Sequence, residues 1–210
     1  MKFLLTSCGW EYNPKIAKEF LRLIGKKPAE VKIFLVTTAG MKDKDWKWVK
    51  RQVKMIAKIG VAEKNITIFS LDRKIRKDEL AGIDAVYVCG GNTFLYLHGM
   101  RKTGLDKEII KFVKKDGVYY GISAGSILAG PDIAFIAPLD DPSVVRALPT
   151  VKVVHTKGLG LTDIAIAPHY NNKEYISVID GFRAKSKFSI MPLTDTQALE
   201  IVGRRKRIIK

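Results

Sequence analysis

The sequence is poor in cysteine and has no long apolar run. Its two cysteines, Cys8 and Cys89, show no CxxC or CxxH spacing, and both follow apolar, strand-like segments. This pattern argues against a disulfide or zinc scaffold and is typical of buried thiols in a reducing compartment. No apolar stretch approaches the roughly 20 residues that span a bilayer, and the N-terminal apolar stretch is too short for a signal peptide. We therefore expect a cytoplasmic protein without a membrane partner.

Acidic residues are also scarce, because 21 Asp and Glu stand against 37 Lys and Arg, for a net charge of +16. Such a charge suits nucleic-acid binding, in which clustered cations release counterions from the phosphate backbone. Here the cations are spread over nearly every predicted helix, and only residues 204–207 form a tight cluster. A lysine-rich, solvated surface with a basic end explains this spread better. We expect no nucleic-acid partner.

Short apolar runs rich in branched residues alternate with longer amphipathic stretches, a pattern that predicts βαβ units. Strands are predicted at residues 1–7, 31–37, 65–70, 85–89, 118–122 and 163–167, and helices at residues 14–24, 46–59, 93–100 and 105–115. Continuous apolar strands indicate a mostly parallel sheet with helices on both faces, in a Rossmann-like three-layer α/β sandwich. Residues 187–191 and 198–202 are predicted to form an antiparallel closing hairpin, with a turn at Thr194-Asp195. We expect one domain over residues 1–210.

A glycine-flanked serine follows the fifth of these strands. The segment Gly121-Ile122-Ser123-Ala124-Gly125 fits G-x-S-x-G, in which a sharp strand-to-helix turn exposes a serine hydroxyl. The helix that follows would aim its first amides at a developing oxyanion, with the amide of Ala124 as the first donor. The motif therefore predicts Ser123 as a nucleophile, although a plain glycine turn is the alternative.

A second glycine turn, Gly90-Gly91-Asn92, follows residues 85–89. Carboxyl ends of parallel strands meet at one edge of a sheet, so this turn should lie beside Ser123. Gly90 and Gly91 would let backbone amides approach a substrate carbonyl and complete an oxyanion hole with Asn92. The alternative is a helix-entry turn capped by Asn92.

Three histidines, His98, His155 and His169, are candidates for the base. His98 falls within a predicted helix and His155 in a polar loop, whereas His169 ends an apolar strand after a rigid Pro168. We therefore favour His169, whose imidazole would take the Ser123 proton and return it to the leaving amine.

A third group should hold the imidazole in the right tautomer. Asp140 and Asp141, in the loop between nucleophile and base, are the leading candidates. Asp132 and Asp163 are weaker, and each of these acids could instead be a solvated surface group.

Together these segments resemble peptidase E, the family of alpha-aspartyl dipeptidases, and its relatives with a class I glutamine-amidotransferase-like fold. The resemblance rests on residues 90–94, 121–125, 139–142, 167–170 and 192–198, in the order in which the family has them.

The resemblance implies that Ser123 is the nucleophile, that His169 is the base and that Asp141 is the favoured acid. It also implies a short-peptide substrate such as an N-terminal Asp dipeptide, with no cofactor and no metal. The family's arginine-bearing segment after the histidine is not reproduced in residues 171–175. Lys173 and Arg183 are the candidates to take the place of that arginine.

Two other functions remain open at this point. One is an esterase or other acyl hydrolase, including the α/β-hydrolase fold with its Ser, acid, His order. The other is a non-catalytic basic binding protein of the same fold. The sequence leaves the oligomeric state open, and a homodimer is among the states it allows.

Overall fold

The computed structural model describes residues 1–38, 43–140 and 156–210, except for the side chains of residues 43–45. Nine strands occur in these ranges: β1 Lys2–Thr6, β2 Ile33–Val36, β3 Ile66–Phe69, β4 Ala85–Val88, β5 Val118–Ile122, β6 Ile164–Ala167, β7 Ser189–Pro192, β8 Ala198–Val202 and β9 Arg205–Ile209. The helices of the described chain are α1 Pro14–Ile24, α2 Asp43–Lys58, α3 Thr93–Thr103, α4 Leu105–Lys114, α5 Ala124–Leu128 and α6 Lys173–Arg183, with short 3-10 turns at Pro28–Glu30, Glu63–Asn65 and Ala134–Ile136.

A seven-stranded sheet forms the centre, in the order β3-β2-β4-β5-β1-β8-β9. Its first five strands in this order are parallel. β8 runs antiparallel to β1, and β9 antiparallel to β8. Every residue of β2, β4 and β5 is buried, as expected of parallel strands covered by helices. The predicted three-layer α/β fold is confirmed.

Helix α1 shows how closely local signals determine an element. Asn13 precedes a proline at the first helical position, and its side chain accepts a hydrogen bond from the Lys15 amide at 3.1 Å. Gly25 ends the helix with a φ of +73°, a left-handed conformation that glycine adopts without strain. The predicted bounds, residues 14–24, are confirmed.

The predicted closing hairpin is wrong. Residues 189–192 form β7, which pairs in parallel with β6 in a separate two-stranded sheet. Strand β8 instead lies between β1 and β9. The basic cluster at residues 204–207 therefore belongs to the β8–β9 hairpin, where Arg207 forms ion pairs with Glu200 and Glu19.

Buried hydrogen bonds join the carboxyl ends of β1 and β5. The Thr6 hydroxyl donates to the Gly121 carbonyl at 3.0 Å, and the Ser123 amide donates to the Thr6 carbonyl at 3.0 Å. The Ser126 hydroxyl lies within hydrogen-bond distance of both carbonyls, at 2.8 and 2.9 Å. These contacts fix the turn that carries Ser123 against the neighbouring strand.

None of the helices in the described ranges combines the length and apolarity that are needed to cross a bilayer.

Candidate active site

Ser123 lies on a tight turn between β5 and α5, with φ +47° and ψ −108°. A non-glycine residue adopts such a backbone only where the surrounding structure enforces it. A Cβ added at Gly125 would lie 2.3 Å from the Val88 carbonyl oxygen, and one at Gly121 would lie 2.6 Å from the Gly125 carbonyl carbon. Both glycines of the motif are therefore required by packing, and the turn holds the serine side chain at the edge of the sheet.

The imidazole of His169 faces this serine. His169 comes two residues after β6 and has a φ of +60°. Its Nε2 lies 2.9 Å from Ser123 Oγ. The structure thus brings together the two side chains that the sequence analysis paired, although 46 positions separate them.

Asp195 contacts the other nitrogen of the ring. Its Oδ1 lies 2.8 Å from His169 Nδ1. Because β6 and β7 are parallel, with Ala167 opposite Pro192, the turns that follow them emerge at the same edge. The sequence analysis missed Asp195, since the hairpin it assigned to residues 187–202 did not place β7 beside β6.

Asp195 accepts several hydrogen bonds. Its Oδ1 also accepts from the Ser7 hydroxyl at 2.9 Å and the Cys8 thiol at 3.0 Å, and its Oδ2 accepts from the Asn171 amide nitrogen at 2.9 Å. Burial raises the pKa of the Asp195 carboxyl, but the hydrogen bonds from Cys8, Asn171, His169 and Ser7 outweigh burial and lower the pKa to about 2. The carboxylate is therefore ionised at neutral pH.

Ser7 connects the histidine and the aspartate. It follows β1, and its side chain is fully buried. The Ser7 hydroxyl accepts a hydrogen bond from the His169 backbone amide at 2.8 Å while it donates to Asp195. This single hydroxyl fixes the backbone of one residue and the carboxylate of the other, and no sequence motif marked it.

Of the acids predicted to contact His169, those that the structure describes lie elsewhere. The Asp140 carboxylate accepts from the Thr93 amide at 2.7 Å and caps α3, so its prediction as the partner of His169 is corrected to Asp195. Asp141 lies outside the described residues. Asp132 accepts from the Ala134 amide at 2.7 Å, and Asp163 pairs with Lys206 at 3.0 Å. Of the remaining histidines, His98 lies on α3 and His155 is outside the described residues.

The second glycine turn lies against the serine as expected. A Cβ added at Gly90 would be 3.5 Å from Ser123 Cβ, and Gly91 has a φ of +148°. The Asn92 side chain accepts from the Leu95 amide at 2.9 Å. Asn92 therefore caps α3, which was the alternative reading of this residue.

A cavity of about 420 Å³ opens over the serine and histidine. Its lining includes Gly90 and Gly91 and a group of residues around the serine, namely Ser7, Cys8, Ile122, Ser123 and His169. The rest of the described lining consists of Glu11, Tyr12, Thr37, Thr38, Trp48 and Arg51. The space is large enough for a small ligand.

A larger cavity of about 600 Å³ lies at the other edge of the sheet, where Lys2, Asp84 and Val118 mark the amino ends of β1, β4 and β5. Sites in open α/β sheets form at the carboxyl ends of the strands. The smaller cavity is therefore the candidate active site.

Three possible metal-binding atoms, Cys8 Sγ, His169 Nδ1 and Asp195 Oδ1, lie within 4.8 Å of one another. Burial raises the pKa of the Cys8 thiol to about 12, with a further contribution from Asp195. A protonated thiol is a poor metal ligand. This donor set therefore fits a hydrogen-bonded cluster better than a metal centre.

The order of the three groups along the chain is Ser123, His169, Asp195. Enzymes with the α/β-hydrolase fold have the order Ser, acid, His. The sequence and strand arrangement found here therefore do not support that alternative.

Comparison with known proteins identifies the family of this chain. The model of peptidase family S51 matches residues 3–209. An uncharacterized peptidase of Listeria monocytogenes is 33% identical over 133 residues, which cover 62% of this chain and 60% of that protein. Peptidase E of Streptomyces coelicolor is 34% identical over 87 residues, which cover 41% of this chain and 32% of that protein. The matched stretches thus span less than two thirds of these relatives.

Solved structures share the fold. A crystal structure of a Listeria monocytogenes EGD-e protein superposes with a TM-score of 0.80 at 22% identity, covering 100% of this chain and 98% of the other. A peptidase from an acI-B1 Actinobacterium gives 0.70 at 17% identity, covering 99% and 86%. Since the family model covers nearly the whole sequence, the chain belongs to peptidase family S51.

Proposed function

We propose that this protein is a serine peptidase that hydrolyses short peptides, with Ser123 as nucleophile, His169 as general base and Asp195 as the group that orients the base. One observation carries the proposal. Ser123 Oγ lies 2.9 Å from His169 Nε2, and His169 Nδ1 lies 2.8 Å from Asp195 Oδ1. A nucleophile within hydrogen-bond reach of a base that a third group holds is the arrangement that acyl transfer needs.

The reaction would begin when Ser123 Oγ attacks the carbonyl carbon of the peptide bond. His169 Nε2 takes the hydroxyl proton and then gives it to the leaving amine, which leaves an acyl group on Ser123. A water molecule attacks the acyl group with the same histidine as base. Asp195, whose pKa of about 2 keeps it ionised, stabilises the imidazolium that forms in each half of the reaction.

The negative oxygen of the tetrahedral intermediate needs hydrogen-bond donors. The backbone amide of Ala124, at the start of α5, and the amides of the Gly90-Gly91 turn are the proposed donors. The position of Gly90 supports this role, because a Cβ added there would lie 3.5 Å from Ser123 Cβ. Asn92 caps α3 through its side-chain oxygen, so the backbone amides come first among the proposed donors.

Dipeptides with an N-terminal aspartate are the first substrates to test. The resemblance to peptidase E supports this choice, as do relatives that carry that name. We further propose that the protein acts in the cytoplasm, which fits its free Cys8 and Cys89 thiols. Nucleic acid is not among the proposed partners, and a homodimer remains a proposal for the oligomeric state.

Hydrolysis of a dipeptide panel, led by Asp-X compounds, tests the activity. We expect Ser123→Ala and His169→Ala each to lower kcat by several orders of magnitude while the circular-dichroism spectrum stays that of the wild type. His98→Ala is the matched control and should retain wild-type turnover, because His98 lies away from the site on α3. Full turnover by Ser123→Ala would exclude the proposed nucleophile.

A further inference from the structure

An ion pair and two exposed aromatic rings line the candidate active-site cavity beside the catalytic groups. Tyr12 is 58% exposed and Trp48 39% exposed, and both line the cavity together with Glu11 and Arg51. Exposed aromatic rings that gather at one cavity commonly mark a binding surface. These four residues take no part in the proposed proton transfers.

The Arg51 guanidinium contacts Glu11 and Trp48, and some of its N–H groups have no acceptor among the described residues. Its Nη2 donates to both oxygens of Glu11, at 3.1 and 3.2 Å, and its Cζ lies 5.7 Å from the centre of the Trp48 ring. Nε and Nη1 donate to no residue that the structure describes. Arginine presents five N–H donors in a rigid plane, which suits two-point binding of a carboxylate. Within the described residues, therefore, no acceptor occupies the remaining N–H groups, which suits them to bind a ligand.

The surroundings of Arg51 are strongly basic. A neighbouring groove shares Glu11 and Arg51 with the active-site cavity, and the lysines that line it are Lys47, Lys50, Lys54 and Lys58 of α2. Glu11 is the single acid in the described lining of this groove. A surface with one dominant sign of charge raises the local concentration of oppositely charged ligands. The groove thus favours anionic ligands next to the serine.

The other cations considered from the sequence do not supply this charge. Arg183 lies on α6 and pairs with Asp180 at 3.4 Å, and Lys173 begins the same helix. Neither belongs to the described lining of the cavity. Arg51 is the arginine of that lining.

We propose that Arg51 binds a carboxylate of the peptide substrate, which lies over Tyr12 and Trp48, and that Glu11 positions the guanidinium. This inference rests on the proposed peptidase function and narrows its substrate class to peptides with a carboxylate near the scissile bond. The carboxylate belongs either to an acidic side chain or to the peptide's C-terminus. Both sources offer the same two oxygens to the guanidinium.

Three matched dipeptides separate the two sources. Asp-Leu and Asn-Leu differ in the side-chain carboxylate, and Asp-Leu and Asp-Leu-amide differ in the C-terminal one. We expect the wild type to hydrolyse Asp-Leu with a higher kcat/KM than one of the other two peptides. Arg51→Met should reduce that ratio of kcat/KM values by about 10-fold or more, as expected for the loss of a charge-assisted hydrogen bond. Arg51→Lys should restore part of the preference. Arg183→Met, the matched control, should retain all of it.

Equilibrium binding gives a readout that does not depend on turnover. We expect calorimetry on the Ser123→Ala protein to give a Kd for Asp-Leu that rises about 10-fold or more when Arg51→Met is added. The same Kd should rise with salt, because an exposed charge pair is screened at an ionic strength of about 0.1 M and above.

The outcomes distinguish this inference from the proposed function. An equal loss of kcat/KM on all three peptides in Arg51→Met, or a Kd that does not change, would overturn the role of Arg51 and leave the peptidase proposal intact. Binding of Asp-Leu that depends on Arg51, in a protein that hydrolyses no dipeptide, would support Arg51 and contradict the proposed function.

Discussion

Replacing Asp195 with asparagine removes one charge from the candidate active site and changes little else in shape. Oδ1 of the aspartate accepts hydrogen bonds from His169, Ser7 and Cys8, and Oδ2 accepts from the Asn171 amide nitrogen. An asparagine can present an oxygen to only one of these two sides. On the other side its NH₂ group would face a donor.

Neighbouring groups cannot easily relieve this conflict. If the new NH₂ group faced Asn171, the Asn171 amide would have to flip, and its oxygen would lose the hydrogen bond that it accepts from the backbone amide of residue 195 at 3.1 Å. If the NH₂ group faced His169, it would donate a hydrogen bond to Nδ1, which would have to be unprotonated, so that Nε2 would carry the ring hydrogen. Such an Nε2 cannot take the proton of Ser123. Either arrangement weakens the base.

The expected loss follows from the tautomer. The corresponding aspartate-to-asparagine change in a serine protease lowers kcat by about 10⁴-fold, which is the magnitude given for that well-studied triad. We expect a fall of the same order here, equivalent to about 5 kcal/mol in the activation free energy. Steady-state hydrolysis of the best dipeptide measures kcat, and thermal unfolding checks that the variant is folded.

Asp140→Asn and Asp141→Asn are the informative comparisons. Asp140 caps α3 through the Thr93 amide, so Asp140→Asn should lower the thermal stability more than it lowers kcat. Near-wild-type kcat in Asp195→Asn, together with a large loss in either of the other two variants, would refute the assignment of Asp195.

Three further predictions follow from the same contacts. Gly125→Ala should lower the free energy of unfolding in urea by about 3 kcal/mol, because its Cβ would lie 2.3 Å from the Val88 carbonyl oxygen. The control Gly181→Ala, in open space on α6, should raise it by roughly 0.5–1 kcal/mol. Equal effects of the two changes would contradict the packing argument. Cys8, with a pKa of about 12, should react with iodoacetamide at pH 8 far more slowly than an unfolded thiol of pKa about 8.5; rapid alkylation of the folded protein would disprove its protonation. The native pKa of Asp195 is about 2, below the unfolded value of about 3.9. The stabilisation from its ionised form should therefore be complete above about pH 5 and should disappear as the pH falls through 2. The Tm difference between wild type and Asp195→Asn should narrow over that range, and a constant difference would count against the lowered pKa.

Local signals in the sequence were sufficient for the strand-turn-helix that carries Ser123. The glycines of its motif report steric needs that lie within a few residues of chain, and the strand that precedes it, Val118–Ile122, was predicted with its observed bounds. His169 was found in the same way, since it follows a short apolar strand and a proline. The glycine motif, the short apolar strand and the proline all lie within the local sequence.

The third group was not predictable by the same route. Asp195 reaches His169 because β7 pairs in parallel with β6, and that pairing depends on tertiary packing. The polar turn after β7 was read as the tip of a hairpin, since two strands separated by a short turn usually pair with each other. Here β8 pairs instead with β1 and β9. Asp140, a leading candidate together with Asp141 because of its position between nucleophile and base, serves as a helix cap.

Labelling with a fluorophosphonate, followed by peptide mass spectrometry, tests the central claim most directly. If an imidazole held by Asp195 activates Ser123, the protein should carry one adduct, on the peptide that contains Ser123. The adduct should be absent in Ser123→Ala and should form at least about 10³-fold more slowly in His169→Ala. An adduct on another residue, or an unchanged labelling rate in His169→Ala, would contradict the account.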